Sequence, residues 1–349
     1  MGVRASARHP TKLRSLLMRT LIYGSGAVGT WVGCCLLARG HEVTFFGRGA
    51  HIEALAKNGV ELREAGGTRR ITGLHAVAST AQLTPPDLLF IGLKAHQLPD
   101  ALDHLRRLTN SHTALIAPQN GVPWWQFHGV PGRYAGRAIQ SVDPGGKLLA
   151  ALPGDQVLGA VINKGVNIAA PGVLTFHNAP NSSLVLGAAS TAGAPLVAPM
   201  LDAMTIPEWP GVHAPDIRME KWNKLLLNVA INPLTALAGA YSGEAMRHPQ
   251  GAALGMRLIE ETVAVARAIG VELDVDPAQR IQRARDIGNF KTSMAVDAER
   301  AKPLEIDAIA GAVLELAQLT ATPTPALQAI YQASKVLDAV LARKRGERG

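Results

Sequence analysis

The 349-residue chain is expected to fold as an α/β protein, a doubly wound parallel sheet followed by an all-helical domain. Three observations predict this. A glycine turn, Gly24-Ser25-Gly26-Ala27-Val28-Gly29, joins a short apolar strand to a helix of small residues. Strand-like apolar runs alternate with helical patterns through the first half, as a parallel sheet covered on both faces requires. From about residue 190 the strand-like runs disappear and long amphipathic patterns follow.

The elements follow in order. Thr20-Leu21-Ile22-Tyr23 is the first strand, and small and apolar residues then run helically to Arg39, where Gly40 ends the helix. Val43-Thr44-Phe45-Phe46 is the second strand, closed by Gly47-Arg48. Further strands are expected over residues 87–93 and 113–117, and 145–187 reads as β-rich, with turns at Pro153-Gly154 and Pro171-Gly172. Helices are expected over 216–240, 242–270, 303–320 and 324–345. This divides the chain into a basic extension (1–18), a nucleotide-binding Rossmann-type domain (19–190), a helical substrate and catalytic domain (191–341) and a basic tail (342–349).

Composition narrows the function. A chain 47% hydrophobic and 18% charged is neither disordered nor collagenous. The net charge of +8 belongs to the ends: the first 19 residues carry five basic side chains and no acid, and the last seven carry four against Glu347. The body between is neutral, so no nucleic-acid face is expected. Aromatics at 4% argue against stacking platforms for single strands. The only cysteines, Cys34 and Cys35, are adjacent and without metal-ligand spacing, which points to a reducing compartment and no metal site. No run of 18 apolar residues predicts a membrane span. The leader lacks the apolar stretch of 7–15 residues of a secretory signal. Arg-rich and acid-free, it could be a transit peptide, but it reads better as a disordered extension, with the start open between Met1 and Met18 and the location cytoplasmic.

Each glycine of the turn has a task in holding a dinucleotide. Gly24 permits the tight turn, Gly26 lets the backbone approach a pyrophosphate, and Gly29 lets the helix pack close to the sheet. The helix N-terminus offers free N–H groups and a positive dipole to phosphates. At the end of the second strand an NAD site would place an acid for the ribose 2′-hydroxyl. Here stands Arg48, with no acid before Glu53, and a guanidinium suits a 2′-phosphate, so NADP is the expected cofactor.

The helical half must supply the chemistry. Lys224, Asn228 and Asn232 recur at i, i+4 and i+8 in an apolar stretch, so they share one helix face. Three such groups either line a cleft or bond neighbouring helices, since burying them unpartnered costs several kcal/mol. If it faces the reacting ketone, Lys224 is the general acid that stabilises the growing negative charge and delivers the proton. A carboxylate nearby would favour and orient its charged form, and Glu305 is the candidate. Nothing in the spacing brings Ser293 or Glu305 to the cleft, and read alone each is rather a helix cap or a surface acid.

Taken together these residues resemble the ketopantoate reductase (2-dehydropantoate 2-reductase) family from about residue 20 to 335. The matching motifs are the glycine turn, Leu93-Lys94-Ala95-His96-Gln97, Gln119-Asn120-Gly121, Lys224 with Asn228 and Asn232-Pro233, and Ser293-Met294 with Glu305. The resemblance implies NADPH-dependent reduction of a hydroxyl-bearing 2-oxo acid in pantothenate biosynthesis. It implies Lys224 as proton donor, Asn120, Asn228, Asn232 and Ser293 as substrate contacts, and Lys94, Asn120 and Glu305 near the nicotinamide end of the cofactor. A homodimer is allowed but not specified.

Three departures stand out. Val122-Pro123-Trp124-Trp125-Gln126-Phe127 follows Asn120-Gly121 and could be core or a reshaped pocket wall; Ser242 replaces a further substrate asparagine; and residues 143–153 look longer than usual. They leave open a related dehydrogenase of a different or bulkier 2-oxo or hydroxy acid, or of an opine-like imine. A non-catalytic NADP-binding regulator is disfavoured by the retained Lys224 and Glu305.

Overall fold

A computed structural model describes residues 17–177, 182–286 and 288–347. The leader expected over 1–18 therefore lies almost wholly outside the described residues, as does Arg348.

The strands are β1 (Arg19–Tyr23), β2 (Glu42–Phe46), β3 (Val60–Glu64), β4 (Gly67–Ile71), β5 (His75–Val77), β6 (Leu88–Ile91), β7 (Ala114–Ala117), β8 (Val157–Asn163), β9 (Gly165–Ala170), β10 (Val173–His177), β11 (Ser183–Ala188) and β12 (Gly211–His213). The helices of the first half are α1 (Ala27–Ala38), α2 (Ala50–Asn58), α3 (Leu98–Arg107), α4 (Lys147–Ala151) and α5 (Val197–Met204). The rest of the chain holds α6 (Ile217–Ala238), α7 (Ser242–Arg247), α8 (Pro249–Ala268), α9 (Pro277–Asp286), α10 (Ser293–Glu299), α11 (Ala312–Thr320) and α12 (Pro325–Gly346).

The main sheet has the order β12-β11-β8-β7-β6-β1-β2-β5. From β5 through β8 all pairings are parallel, and the chain reverses direction across the sheet between β1 and β6. That reversal opens a crevice at the carboxyl edge of the strands, where ligands bind in this architecture. Alternate residues serve opposite faces: Leu21, Leu89 and Leu115 pack on one, Ile22, Phe90 and Ile116 on the other. The first of these cores runs without a break into the helical half through Trp222, Leu225, Leu226 and Val229 of α6.

α6 is the axis of that half. Asp216 caps its start, accepting from the Arg218 and Met219 N–H groups at 2.9 and 3.3 Å, and Gly239 in the left-handed region ends it. Its buried stripe is fixed by tertiary packing, and truncating a residue such as Leu226 to Ala would cost roughly 2–5 kcal/mol.

Several expectations need correction. Residues 145–156 are helical turns and α4, because the buried Asp143 carboxylate accepts from the Leu148 and Leu149 N–H groups and nucleates a helix. A second sheet, β4-β3-β10-β9, was not expected; β4 is almost wholly exposed and shows no apolar alternation. Strands do not end at 190, since β12 extends the main sheet, though its three exposed residues leave no pattern to read. The amphipathic run over 242–270 is two helices broken at His248, with Pro249 opening α8 where its missing N–H costs nothing. Helices α9 and α10 were not foreseen, and the run over 303–320 opens with a π-helical turn, Asp307–Gly311.

Cys34 and Cys35 are free and buried in α1, and burial pushes both thiols up, Cys34 to about 12. Arg343, Lys344 and Arg345 occupy the last turn of α12, where positive charge complements the helix dipole. Among the described residues no helix is long and apolar enough to cross a membrane.

Candidate active site

Four loops at the carboxyl edge of the main sheet, after β1, β2, β6 and β7, carry the candidate groups. The first is the glycine turn after β1. Gly24 sits at φ +102° with the Gly92 backbone too close for a Cβ, and a Cβ on Gly29 would overlap the Gly24 carbonyl oxygen. Gly26 is different: a Cβ there would meet nothing within 4 Å. The start of α1 carries no side-chain cap and no acid in its first turn. Among the described residues no side chain caps its first N–H groups, and the space beside Gly26 is open, a cradle that fits a pyrophosphate.

After β2, Arg48 is exposed at the rim of a recess also lined by Tyr23, Phe46, Thr80 and His104. Tyr23 packs on Phe46 with ring centroids 4.6 Å apart and bonds His104 Nδ1 at 3.0 Å. Burial pushes the Tyr23 phenol up, and Arg48 and Arg107 oppose that shift, so both guanidinium groups stand near it. Arg107, on α3, was missed by sequence reasoning; it donates to the Thr80 carbonyl oxygen at 2.7 Å and hydroxyl at 3.0 Å, holding the far wall. No local motif signals it.

The loops after β6 and β7 bring the remaining groups together. Gln119 ties them to each other, its amide donating to the Ile91 and Leu93 carbonyl oxygens at 2.7 and 3.2 Å. Lys94 forms an ion pair with Asp297, a buried acid on α10. The Asn120 side chain and the Ala95 N–H stand near the Glu305 carboxyl and favour its charged form. Burial pushes the Glu305 carboxyl up, the Lys94 ammonium opposes this, and Asp297 adds to it. Gly121, at φ +85°, lies so close to Ala308 that a Cβ would collide with its carbonyl oxygen, and Val122 N–H donates to that oxygen at 2.9 Å. The 119–122 turn is thereby held against the π-helical turn that follows Glu305.

α6 lines a second, smaller recess against the loop after β7. Lys224 is half-buried, its ammonium 3.1 Å from the Ile162 carbonyl oxygen at the end of β8. Burial pushes it down to about 8, and Glu305 opposes that shift. Lys224, Asn228 and Asn120 line one small recess with Gly121 and Val161. Asn232, one turn further, is buried. Ser293 is exposed at the start of α10, one turn before the buried Asp297, and no bond joins it to the recess among the described residues.

Lys221 and Asp297 were missed by sequence reasoning. Each lies one turn from a residue already singled out, Lys221 at i−3 from Lys224 and Asp297 at i+4 from Ser293, so helical spacing was the available signal. Ser242 is fully buried; its hydroxyl donates to the Gly288 carbonyl oxygen at 3.1 Å and accepts from the Phe290 N–H at 3.2 Å.

Trp124 and Trp125 are core residues, 2% and 0% exposed, and neither lines the recess around Lys224. Arg218 stacks over Trp125 at 5.3 Å and donates to the Gln126, His128 and Ala189 carbonyl oxygens, pinning the segment beneath α6. The alternative of a reshaped pocket wall falls away.

A desolvated lysine beside two asparagine amides, with a carboxylate near enough to favour its charged form, can hold a small oxo acid and move a proton. The chain has relatives among known proteins. Residues 20–191 match the family described as "Ketopantoate reductase PanE/ApbA", and residues 216–338 match its C-terminal counterpart. A 2-dehydropantoate 2-reductase of Mesorhizobium japonicum is 36% identical over 317 residues, covering 90% of this chain and 95% of the relative. The crystal structure of a "putative ketopantoate reductase" from Ralstonia solanacearum superposes with a TM-score of 0.85 at 29% identity, covering 95% of this chain and 99% of that one. D-mandelate dehydrogenase, solved with NADH and anilino(oxo)acetate, shares the fold at a TM-score of 0.80 and 18% identity, over 93% of this chain and 100% of that one.

Proposed function

The chain belongs to the ketopantoate reductase family, and from that premise we propose that it reduces 2-dehydropantoate to pantoate with NADPH, as in pantothenate biosynthesis, Lys224 serving as proton donor. The observation that carries the reading is the Lys224 ammonium, desolvated to about 8 and opposed by Glu305, in a recess shared with Asn120 and Asn228. A lysine so tuned is still mostly protonated at neutral pH yet gives up its proton far more readily than an exposed one.

NADPH, when bound, supplies the hydride to the keto carbon. The residues of this chain do the rest. As the C=O bond becomes C–O, the Lys224 ammonium faces the oxygen, stabilises its negative charge and transfers a proton to it, leaving a neutral amine that regains a proton from water. Asn228 and Asn232 hold the polar groups of the substrate, and Ser293 reaches it from the mouth of the cleft. Lys94, Asn120 and Glu305 orient the nicotinamide end, and the Gly24–Gly29 turn (Gly24, Ser25, Gly26, Ala27, Val28, Gly29) carries the pyrophosphate on the start of α1. Arg48 reads the 2′-phosphate; the lack of an acid at the end of β2 supports NADP over NAD. A cytoplasmic enzyme fits two unbridged, buried cysteines.

One observation favours a second reading. Ser242 spends its hydroxyl within the helical domain, so a substrate contact implied by the resemblance is missing, and a related 2-oxo acid with fewer polar groups is the alternative substrate. The test is incubation of the purified protein with NADPH and 2-dehydropantoate. Pantoate formed in step with NADPH consumed supports the proposal, and no consumption contradicts it.

A further inference from the structure

Lys221 stands one turn before Lys224 on α6, and no step above uses it. Its side chain is 5% exposed, and its ammonium donates to the Gln119 carbonyl oxygen. Among the described residues it has no ion-pair partner. Gln119 in turn grips the Ile91 and Leu93 carbonyl oxygens, and its neighbour Asn120 stands beside the Glu305 carboxyl. A single bond from α6 therefore reaches both loops that carry the cofactor-end residues.

A buried ammonium on a neutral carbonyl is a poor way to gain stability. Burial pushes Lys221 down to about 7; Lys224, on the same helix, adds to this, and Glu305, across the recess, opposes it. Glu305 is itself faced by Lys94 and Asp297. A methionine of similar length would fill the space without desolvating a charge. Packing alone does not account for a lysine here.

We propose that Lys221 is a positioning residue: it clamps the Gln119 carbonyl to α6 and so fixes Asn120 and Glu305 relative to Lys224. The importance of those three residues rests on the function proposed above, but the clamp is a property of the ligand-free chain and is measurable without turnover.

The test compares Lys221→Met, which removes the donor, with Lys221→Gln, which keeps an N–H but not the charge. In the ligand-free protein, amide hydrogen exchange over residues 119–122 should quicken about tenfold or more in Lys221→Met. Its kcat should fall about tenfold or more, since a small misplacement of reacting groups is costly, while NADPH affinity stays within about twofold. The thermal midpoint at pH 6 should not fall, because a desolvated charge has gone. Lys221→Gln should recover both exchange and kcat by about threefold or more relative to Lys221→Met. Unchanged exchange in Lys221→Met, whatever its kcat, overturns the clamp. A lowered midpoint with lost NADPH affinity and no recovery in Lys221→Gln marks an ordinary core residue and overturns it too. If the wild-type protein reduces no 2-oxo acid, the proposed function fails, while quickened exchange still supports the clamp.

Discussion

The Asn120 side chain stands beside the Glu305 carboxyl and opposes the upward push of burial on it, bringing the loop after β7 to the segment before α11. Residues 185 positions apart in the chain thus meet across from Lys224, and the recess exists because the sheet's carboxyl edge and the helical half meet there.

Lys224→Ala removes the proposed acid but touches no part of the phosphate cradle. Turnover should fall by roughly 10²–10⁴, the range for a positioned acid. NADPH affinity, read by fluorescence titration, should hardly change. Unchanged turnover would contradict the role.

Glu305→Gln keeps the shape of the side chain and removes its charge. Glu305 raises the Lys224 pKa, so the variant should lower it. The alkaline limb of kcat, where Lys224 loses its proton, should move to lower pH. A limb that stays in place would mean the carboxylate does not act on Lys224.

Arg48→Ala should weaken NADPH by about tenfold or more, a charge-assisted bond or two, and NADH far less. Paired titrations decide it. Equal losses for the two cofactors would show that Arg48 does not read the 2′-phosphate.

Stability should rise with pH in the alkaline range. Lys221 and Lys224 are depressed to about 7 and about 8 in the folded chain, against 10.5 in the unfolded one. Between those values the unfolded chain binds more protons, so raising pH favours folding, and the gain is lost as pH falls through the window. Urea midpoints across the window should climb in the wild type and climb less in Lys221→Met. A flat wild-type curve would mean that neither lysine is desolvated as described.

Gly121→Ala meets both a positive φ and the Ala308 carbonyl oxygen. It should cost about 2–4 kcal/mol of stability and lower turnover, because the turn that presents Asn120 must shift. A wild-type thermal midpoint would contradict the close approach.

Much of this was legible in the sequence because it is local. The glycine turn, the strand before it and Arg48 after β2 are neighbours in the chain, and Lys224, Asn228 and Asn232 announce one face by spacing alone. What was not legible depends on distant partners. Asp143 looks like any loop acid until its carboxylate is seen capping α4. The same holds for Asp297 and Arg107, whose meaning lies in Lys94 and Thr80. Trp124 and Trp125 could be wall or core by pattern, and only their place under Arg218 decides. The second sheet escaped because its strands are short and β4 is almost wholly exposed, so burial left no alternation to read.

The most direct test of the central claim is kcat/KM with NADPH for 2-dehydropantoate beside a plainer branched 2-oxo acid and an aromatic one. 2-Dehydropantoate should be preferred by about a hundredfold or more, as expected where a site hydrogen-bonds a substrate hydroxyl that its competitors lack. Equal or better reduction of either competitor would contradict it and hand the site, with its Lys224 chemistry intact, to another 2-oxo acid.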